Sequence, residues 1–253
     1  WQFVLDPLFG YLILAEKMWN NLEDFVKPGE NILPMIDVSG SMTGLPMEVA
    51  ISLGLYLSQK NKGKFNGKYL TFSETPKLGQ IPNGTLSEIY DKMEGDTWGL
   101  NTDFNKAYGL ILDLAEMFDV KDEDMPTMLL VLSDMQFDES HGGSWGSTPS
   151  VEKPHLQEIR DAYEASGYTM PKLVFWNLEG SHVGSPSLPS EPGVGMVSGF
   201  SPAIMKAVLD CEDFTPISIM EKALEPIELD YTNLDDKLDI VKDEPQMTEH
   251  GWV

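Results

Sequence analysis

The sequence predicts an α/β fold, a doubly wound and mostly parallel sheet with helices on both faces. Apolar runs of strand length recur at 31–37, 68–72, 127–133, 173–177 and 194–198. Most are separated by segments with helical spacing of apolar residues. Runs such as TMLLVLS lack polar alternation, as expected of strands covered on both faces.

Residues 1–28 carry Phe3, Leu5, Leu8, Phe9, Leu12, Met18, Trp19 and Leu22 at helical spacing, and Pro28-Gly29 ends the pattern. One or two helices are expected here, a remnant of an upstream module packed on the main domain. The chain begins at Trp1 rather than Met, as expected of a shortened or processed terminus. NILPMID reads as a buried strand despite Pro34. Pro46 suits a first helical turn, and the helix after it is apolar on most sides, so it should be buried.

KYLTF is a second strand and residues 77–81 a third, with Asn83-Gly84 as a turn and 85–93 as a helix. A Gly/Trp-bearing loop at 95–101 precedes a helix at 103–118, and the strand TMLLVLS ends on Asp134. A Gly/Ser/His/Trp-rich loop at 138–150 follows, then a helix at 154–166 capped by Gly167, and the strand LVFWN. After a Ser/Pro/Gly loop come a short strand at 194–198 and a helix from Ser201-Pro202 to about Leu209. From about Cys211 a last helix gives way to a tail rich in Asp and Glu. Residues 227–253 show little periodicity and are expected to be extended or disordered without a partner. The resulting division is a helical extension at 1–30, an α/β domain at 31–210, and a helix with an acidic tail at 211–253.

Composition narrows the function. The formal net charge is -24, and Arg160 is the sole arginine. Proteins that read nucleic acid need basic patches to displace counterions, and arginine is their main base-reading residue. DNA, RNA and anionic lipid surfaces are therefore poor partners. No apolar run reaches the roughly 18 residues needed to cross a bilayer. One cysteine, Cys211, excludes an internal disulfide framework and any multi-cysteine zinc site, which fits an intracellular setting. His141, His155, His182 and His250 show no metal-ligand spacing.

The informative string is Asp37-Val38-Ser39-Gly40-Ser41, which follows a buried strand and precedes a helix. One carboxylate and two hydroxyls at alternate positions can converge on one small cation. Mg²⁺ favours an octahedron of oxygens and keeps several waters, which such a site allows. The adjacent helix N-terminus also favours negative ligands. A serine-capped helix start accounts for the same string equally well. Thr102, in GLNTDF, stands at the end of a loop and the start of a helix, so it is read as an N-cap, a cation ligand or both. Asp134 closes a strand, and βαβ connections, which return each parallel strand to the same end, should bring it to the same sheet edge as Asp37. Asp103 and Asp138 lie near enough in sequence to tune that charge, and Trp98 and Trp145 to contribute to a partner footprint.

DVSGSM, a Thr-Asp loop and a strand-terminal Asp together resemble the metal-ion-dependent adhesion site of von Willebrand factor A domains. The resemblance implies that Asp37, Ser39, Ser41, Thr102 and Asp134 hold one divalent cation, Mg²⁺ first, with Mn²⁺ or Ca²⁺ as substitutes. WNNLEDF, GLPMEVAISLGL, YLTFSETP, WGLNTDFNKAYGLIL, LLVLSDMQFD, YEASGYTMPKLVFWNL and PGVGMVSGFSPAIMKAVL further resemble a little-characterised intracellular family. Its members occur in plants, fungi and large viruses, and its A domain is related to that of the Ro ribonucleoprotein. The likeness spans roughly residues 17–210.

It implies a cation-dependent protein-interaction module, in which the ion accepts an Asp or Glu carboxylate from a protein partner. A structural part of a larger assembly, including a virus particle, is the alternative. Mg²⁺-dependent phosphoryl transfer fits less well: both 39 and 41 are serine, and no Lys or Arg is placed to hold phosphate. No G-x-S-x-G elbow surrounds either serine, so acyl transfer is not expected. The expectation is a binding protein rather than an enzyme, and the sequence does not fix its oligomeric state.

Overall fold

The computed structural model describes residues 7–95, 103–135, 156–179, 193–199, 202–210, 217–218, 220–221, 247–248 and 251–252. The elements are α1 (Pro7–Asn20), β1 (Ile32–Ile36), α2 (Leu45–Lys60), β2 (Lys68–Thr71), β3 (Leu78–Gln80), α3 (Leu86–Gly95) and α4 (Phe104–Met117). They continue with β4 (Met128–Ser133), α5 (Leu156–Ala165), β5 (Lys172–Asn177), β6 (Val194–Ser198) and α6 (Pro202–Asp210). Six strands form one sheet in the order β3-β2-β1-β4-β5-β6, with only β3 antiparallel to its neighbour. Strand order reverses between β1 and β4, which makes the carboxyl ends of those two strands the switch point where ligands of such sheets sit.

Strand residues alternate between two cores. Ile36, Leu132, Trp176 and Val197 face α2 and α6, while Met35, Val131 and Phe175 face α4 and α5. Both faces are covered, so the sheet is the doubly wound layer that the unbroken apolar runs predict. α2 lies flat on the sheet, with Met47, Ala50, Ile51, Gly54, Leu55 and Leu57 all buried, as its all-round apolar character requires.

Pro34 is tolerated in a central strand for a specific reason. The Asp37 amide donates to the Leu132 carbonyl of β4 at 3.0 Å, so alternate residues back along β1 also donate toward β4. Pro34 falls on the opposite side, toward β2, where pairing starts only at Met35 and Ile36. The missing N–H therefore leaves the β1–β4 ladder complete and falls at the end of the β1–β2 ladder. Farther back on that side, the Asn61 side chain stands in for a strand. It accepts from Ile32 N–H and donates to Ile32 C=O, both at 2.7 Å.

α3 begins with a capping box. The Thr85 amide and hydroxyl both donate to Glu88 Oε2, at 2.8 and 3.0 Å. The strand expectations agree with the observed elements to within a residue or two at each end. Residues 1–28 supply a single described helix, α1, whose Trp19 donates to Gln59 of α2. Within the tail expected to be extended or disordered, Met247–Thr248 pairs antiparallel with Gly251–Trp252. No described helix is long and apolar enough to cross a membrane.

Candidate functional site

Asp37 and Asp134 occupy the carboxyl ends of the two strands that flank the switch point. Register pairs Ile36 with Leu132, so Asp37 stands beside Ser133, and Asp134 comes one residue later. Both carboxylates are buried, Asp37 at 2% exposure and Asp134 at 0%. Hydrogen bonds fix Asp37 at both oxygens. The Ser39 amide donates to Oδ1 at 2.9 Å and the Ser133 hydroxyl to Oδ2 at 2.7 Å.

Burial pushes the Asp37 pKa above the usual aspartate value, and the negative charge of Asp134 adds to the rise. Hydrogen bonds from Ser133 and Ser39 oppose the shift without cancelling it. Among the described residues, the groups acting on Asp37 are neutral donors and a second acid. Two acids drawn together out of water, at a sheet edge, form an electrostatically costly arrangement unless positive charge joins them.

The serines resolve the ambiguity left by their sequence. Ser39 precedes a single 3₁₀ turn (Gly40–Met42), yet its side chain makes no capping hydrogen bond. The N-cap of α2 is Gly44, at φ 96°, a left-handed conformation that suits glycine. Neither serine therefore caps the long helix. Their hydroxyl oxygens instead lie 3.1 Å apart, Ser39 half-buried and Ser41 exposed.

Thr102 lies outside the described residues, as do Trp98, Asp138, His141 and Trp145. The residue after it, Asp103, is the N-cap of α4 and accepts from the Lys106 amide at 3.1 Å. Its carboxylate also pairs with Lys106 Nζ at 3.0 Å. Its pKa is lowered: burial would raise it, and the bonds and charge of Lys106 outweigh that. The capping role considered for Thr102 belongs to Asp103. α4 runs antiparallel to the parallel strands, since Phe104 packs edge-on against Phe175 late in β5 while Tyr108 donates to Pro171 just before it. α4 therefore starts at the rim that carries Asp37 and Asp134.

Ser133 escaped the sequence reading. It is 1% exposed, donates to Asp37 and accepts from the Met135 amide at 3.1 Å. Its signal was faint, a single hydroxyl closing an otherwise apolar strand. Among the described residues, no three His, Cys, Asp or Glu side chains gather as a metal-holding group. Among the described residues, the rim brings together the carboxylates of Asp37 and Asp134 and the hydroxyls of Ser39, Ser41 and Ser133.

Residues 31–245 match a family described as a domain of unknown function, DUF7788. The chain belongs to that family. The DUF7788 chain is also 32% identical over 217 residues to the uncharacterized protein L728 of Acanthamoeba polyphaga mimivirus. That match covers 84% of the chain but 37% of the viral protein, so the chain spans little more than a third of its relative's length. Among solved structures it is similar to the Ro (RSR) protein of Deinococcus radiodurans, at 18% identity and a TM-score of 0.45. That similarity covers 83% of the DUF7788 chain and 36% of the Ro chain. The strand order, with one antiparallel edge, is that of a doubly wound α/β sheet.

Proposed function

We propose that this rim is a divalent-cation site and that the bound ion serves a protein–protein contact. The observation that carries the reading is the pair of buried carboxylates, Asp37 and Asp134, at adjacent strand ends beside two serine hydroxyls not used for capping. Carboxylate and hydroxyl oxygens are hard donors, the set that suits Mg²⁺ or Mn²⁺ better than softer metals. Asp37, Ser39, Ser41 and Asp134 would hold the ion, with Thr102 from the loop before α4. Two acids balance a 2+ charge, so an Asp or Glu from a partner can join without net repulsion. The bound ion supplies Lewis acidity toward that incoming carboxylate.

The chain's own residues set the rest. Ser39 N–H and Ser133 O–H orient Asp37, and the 3₁₀ turn presents Ser41 to solvent. A partner-binding role is favoured over phosphoryl transfer because Lys106, the cation at the start of α4, is engaged with Asp103 and the Glu74 carbonyl.

Thermal unfolding during Mg²⁺ and Mn²⁺ titration tests the site. Saturation at about 100 times Kd adds about 2.7 kcal/mol. For a chain of this size that corresponds to a rise of roughly 5–10 °C. Asp37→Ala should stay folded and show no such rise. An equal rise in that variant would place the ion elsewhere. Pull-down with and without EDTA then separates a metal-bridged partner contact from a purely stabilising ion, which would raise Tm and leave capture unchanged.

A further inference from the structure

We propose that Ser133 is the positioning residue of this cation site, locking the Asp37 carboxylate in the orientation that the ion requires. The inference rests on the reading of the rim as a cation site and extends it to a residue outside the D-x-S-x-S string.

Three observations converge on Ser133. Parallel register sets it directly beside Asp37, because Ile36 pairs with Leu132 and the Asp37 amide donates to Leu132. Its hydroxyl, with one proton to give, donates to Asp37 Oδ2 at 2.7 Å. The same oxygen accepts from the Met135 amide at 3.1 Å. The Met135 N–H takes up lone-pair capacity on Oγ, so the hydroxyl proton is directed to Asp37 rather than rotating among acceptors.

The backbone supports that arrangement. Met135 has φ 59°, a left-handed conformation costly for a residue with a long side chain, and it is 2% exposed. The turn that brings its amide back onto Ser133 comes immediately after Asp134. One short segment, Ser133-Asp134-Met135, therefore provides a proposed ligand, the group that orients the ligand on the neighbouring strand, and the amide that orients that group. With Ser39 N–H on Oδ1 and Ser133 O–H on Oδ2, the Asp37 carboxylate cannot rotate about its Cβ–Cγ bond without breaking both bonds. A carboxylate has about four lone-pair sites, so these donors leave capacity for the ion or a water on it. A ligand held this way binds without first losing rotational freedom, the effect that hydrogen-bonding partners of metal ligands have at other sites.

The experiment is a Mn²⁺ titration of the full chain, followed by the electron paramagnetic resonance signal of unbound Mn²⁺. It compares wild type, Ser133→Ala, Ser133→Thr and Asp37→Ala, with the Tm of each metal-free protein measured in parallel. Loss of a hydrogen-bonding partner one step out from a metal typically weakens binding by about 10- to 100-fold. Ser133→Ala should fall in that range, Ser133→Thr should lie within about threefold of wild type because it keeps the hydroxyl, and Asp37→Ala should not bind. A purely structural serine would lower the metal-free Tm and leave Mn²⁺ affinity intact. That result, with binding abolished in Asp37→Ala, overturns this inference alone. Wild-type protein that binds no Mn²⁺, or Asp37→Ala that binds as wild type does, overturns the site itself. If Ser133→Thr unfolds because its extra methyl group has no room, the alanine variant still decides the question by its affinity.

Discussion

Replacing Gly54 with alanine probes how α2 is seated over the strand that delivers Asp37 to the rim. An ideal Cβ at Gly54 would overlap Ile36 Cδ1 and lie 2.7 Å from Ile36 Cγ1, with Leu132 Cδ1 at 3.7 Å. Ile36 and Leu132 are both 0% exposed and register partners, so neither has open space to move into. Overpacking of this kind costs about 1–3 kcal/mol. Alanine recovers about 1 kcal/mol through its better helix propensity. A net loss of about 1 kcal/mol follows, a fall in Tm of roughly 2–4 °C.

Ile36→Val removes the nearest overlapping atom and by itself costs about 0.5–1.5 kcal/mol. The two changes should therefore not add, and the double variant should be about 1 kcal/mol more stable than the sum predicts. Urea unfolding of the four proteins, with m checked for constancy, measures that coupling. Additivity within about 0.3 kcal/mol would refute the claim that contact with Ile36 is what demands glycine.

Three further outcomes are expected. Asn61→Ala strips Ile32 of both backbone partners in a buried setting, at about 1–3 kcal/mol for each orphaned group, read by urea unfolding; a loss below 0.5 kcal/mol would mean that water replaces the amide (order of magnitude). Glu88 has its pKa lowered by hydrogen bonds from the Thr85 amide and hydroxyl. A depressed carboxylate contributes stability above its unfolded pKa and loses it as pH falls through the folded value, so amide exchange in the first turn of α3 should quicken below the ordinary glutamate range. Glu88→Gln should flatten that dependence, and an unchanged pH profile would count against the box. Thr85→Ala should cost about 1 kcal/mol of stability, as N-cap losses do, and a cost near zero would show that α3 needs no cap.

The sequence by itself determined the layer architecture and the rim. Strands of continuous apolar residues, such as MLLVLS, are stable when covered on both faces, and crossover connections return every parallel strand to one end. Those two facts suffice to bring Asp37 and Asp134 to the same edge. Local chemistry was equally legible where it was short-range, as in the left-handed Gly167 after α5; the helical spacing before Pro28-Gly29 was less so, since α1 already ends at Asn20.

What lay between distant segments was decided by tertiary structure alone. No pattern in the D-x-S-x-S string says whether its hydroxyls cap a helix. That depends on where α2 starts, and the structure sets its N-cap at Gly44, three residues beyond Ser41. The tolerance for Pro34 follows from which side of β1 its nitrogen faces, a matter of register with two neighbours. Ser133 became visible for the same reason. A serine ending an apolar strand has no meaning until pairing sets it 2.7 Å from a carboxylate 96 residues earlier in the chain. Residue type records what a side chain can do, and register determines which partner it does it with.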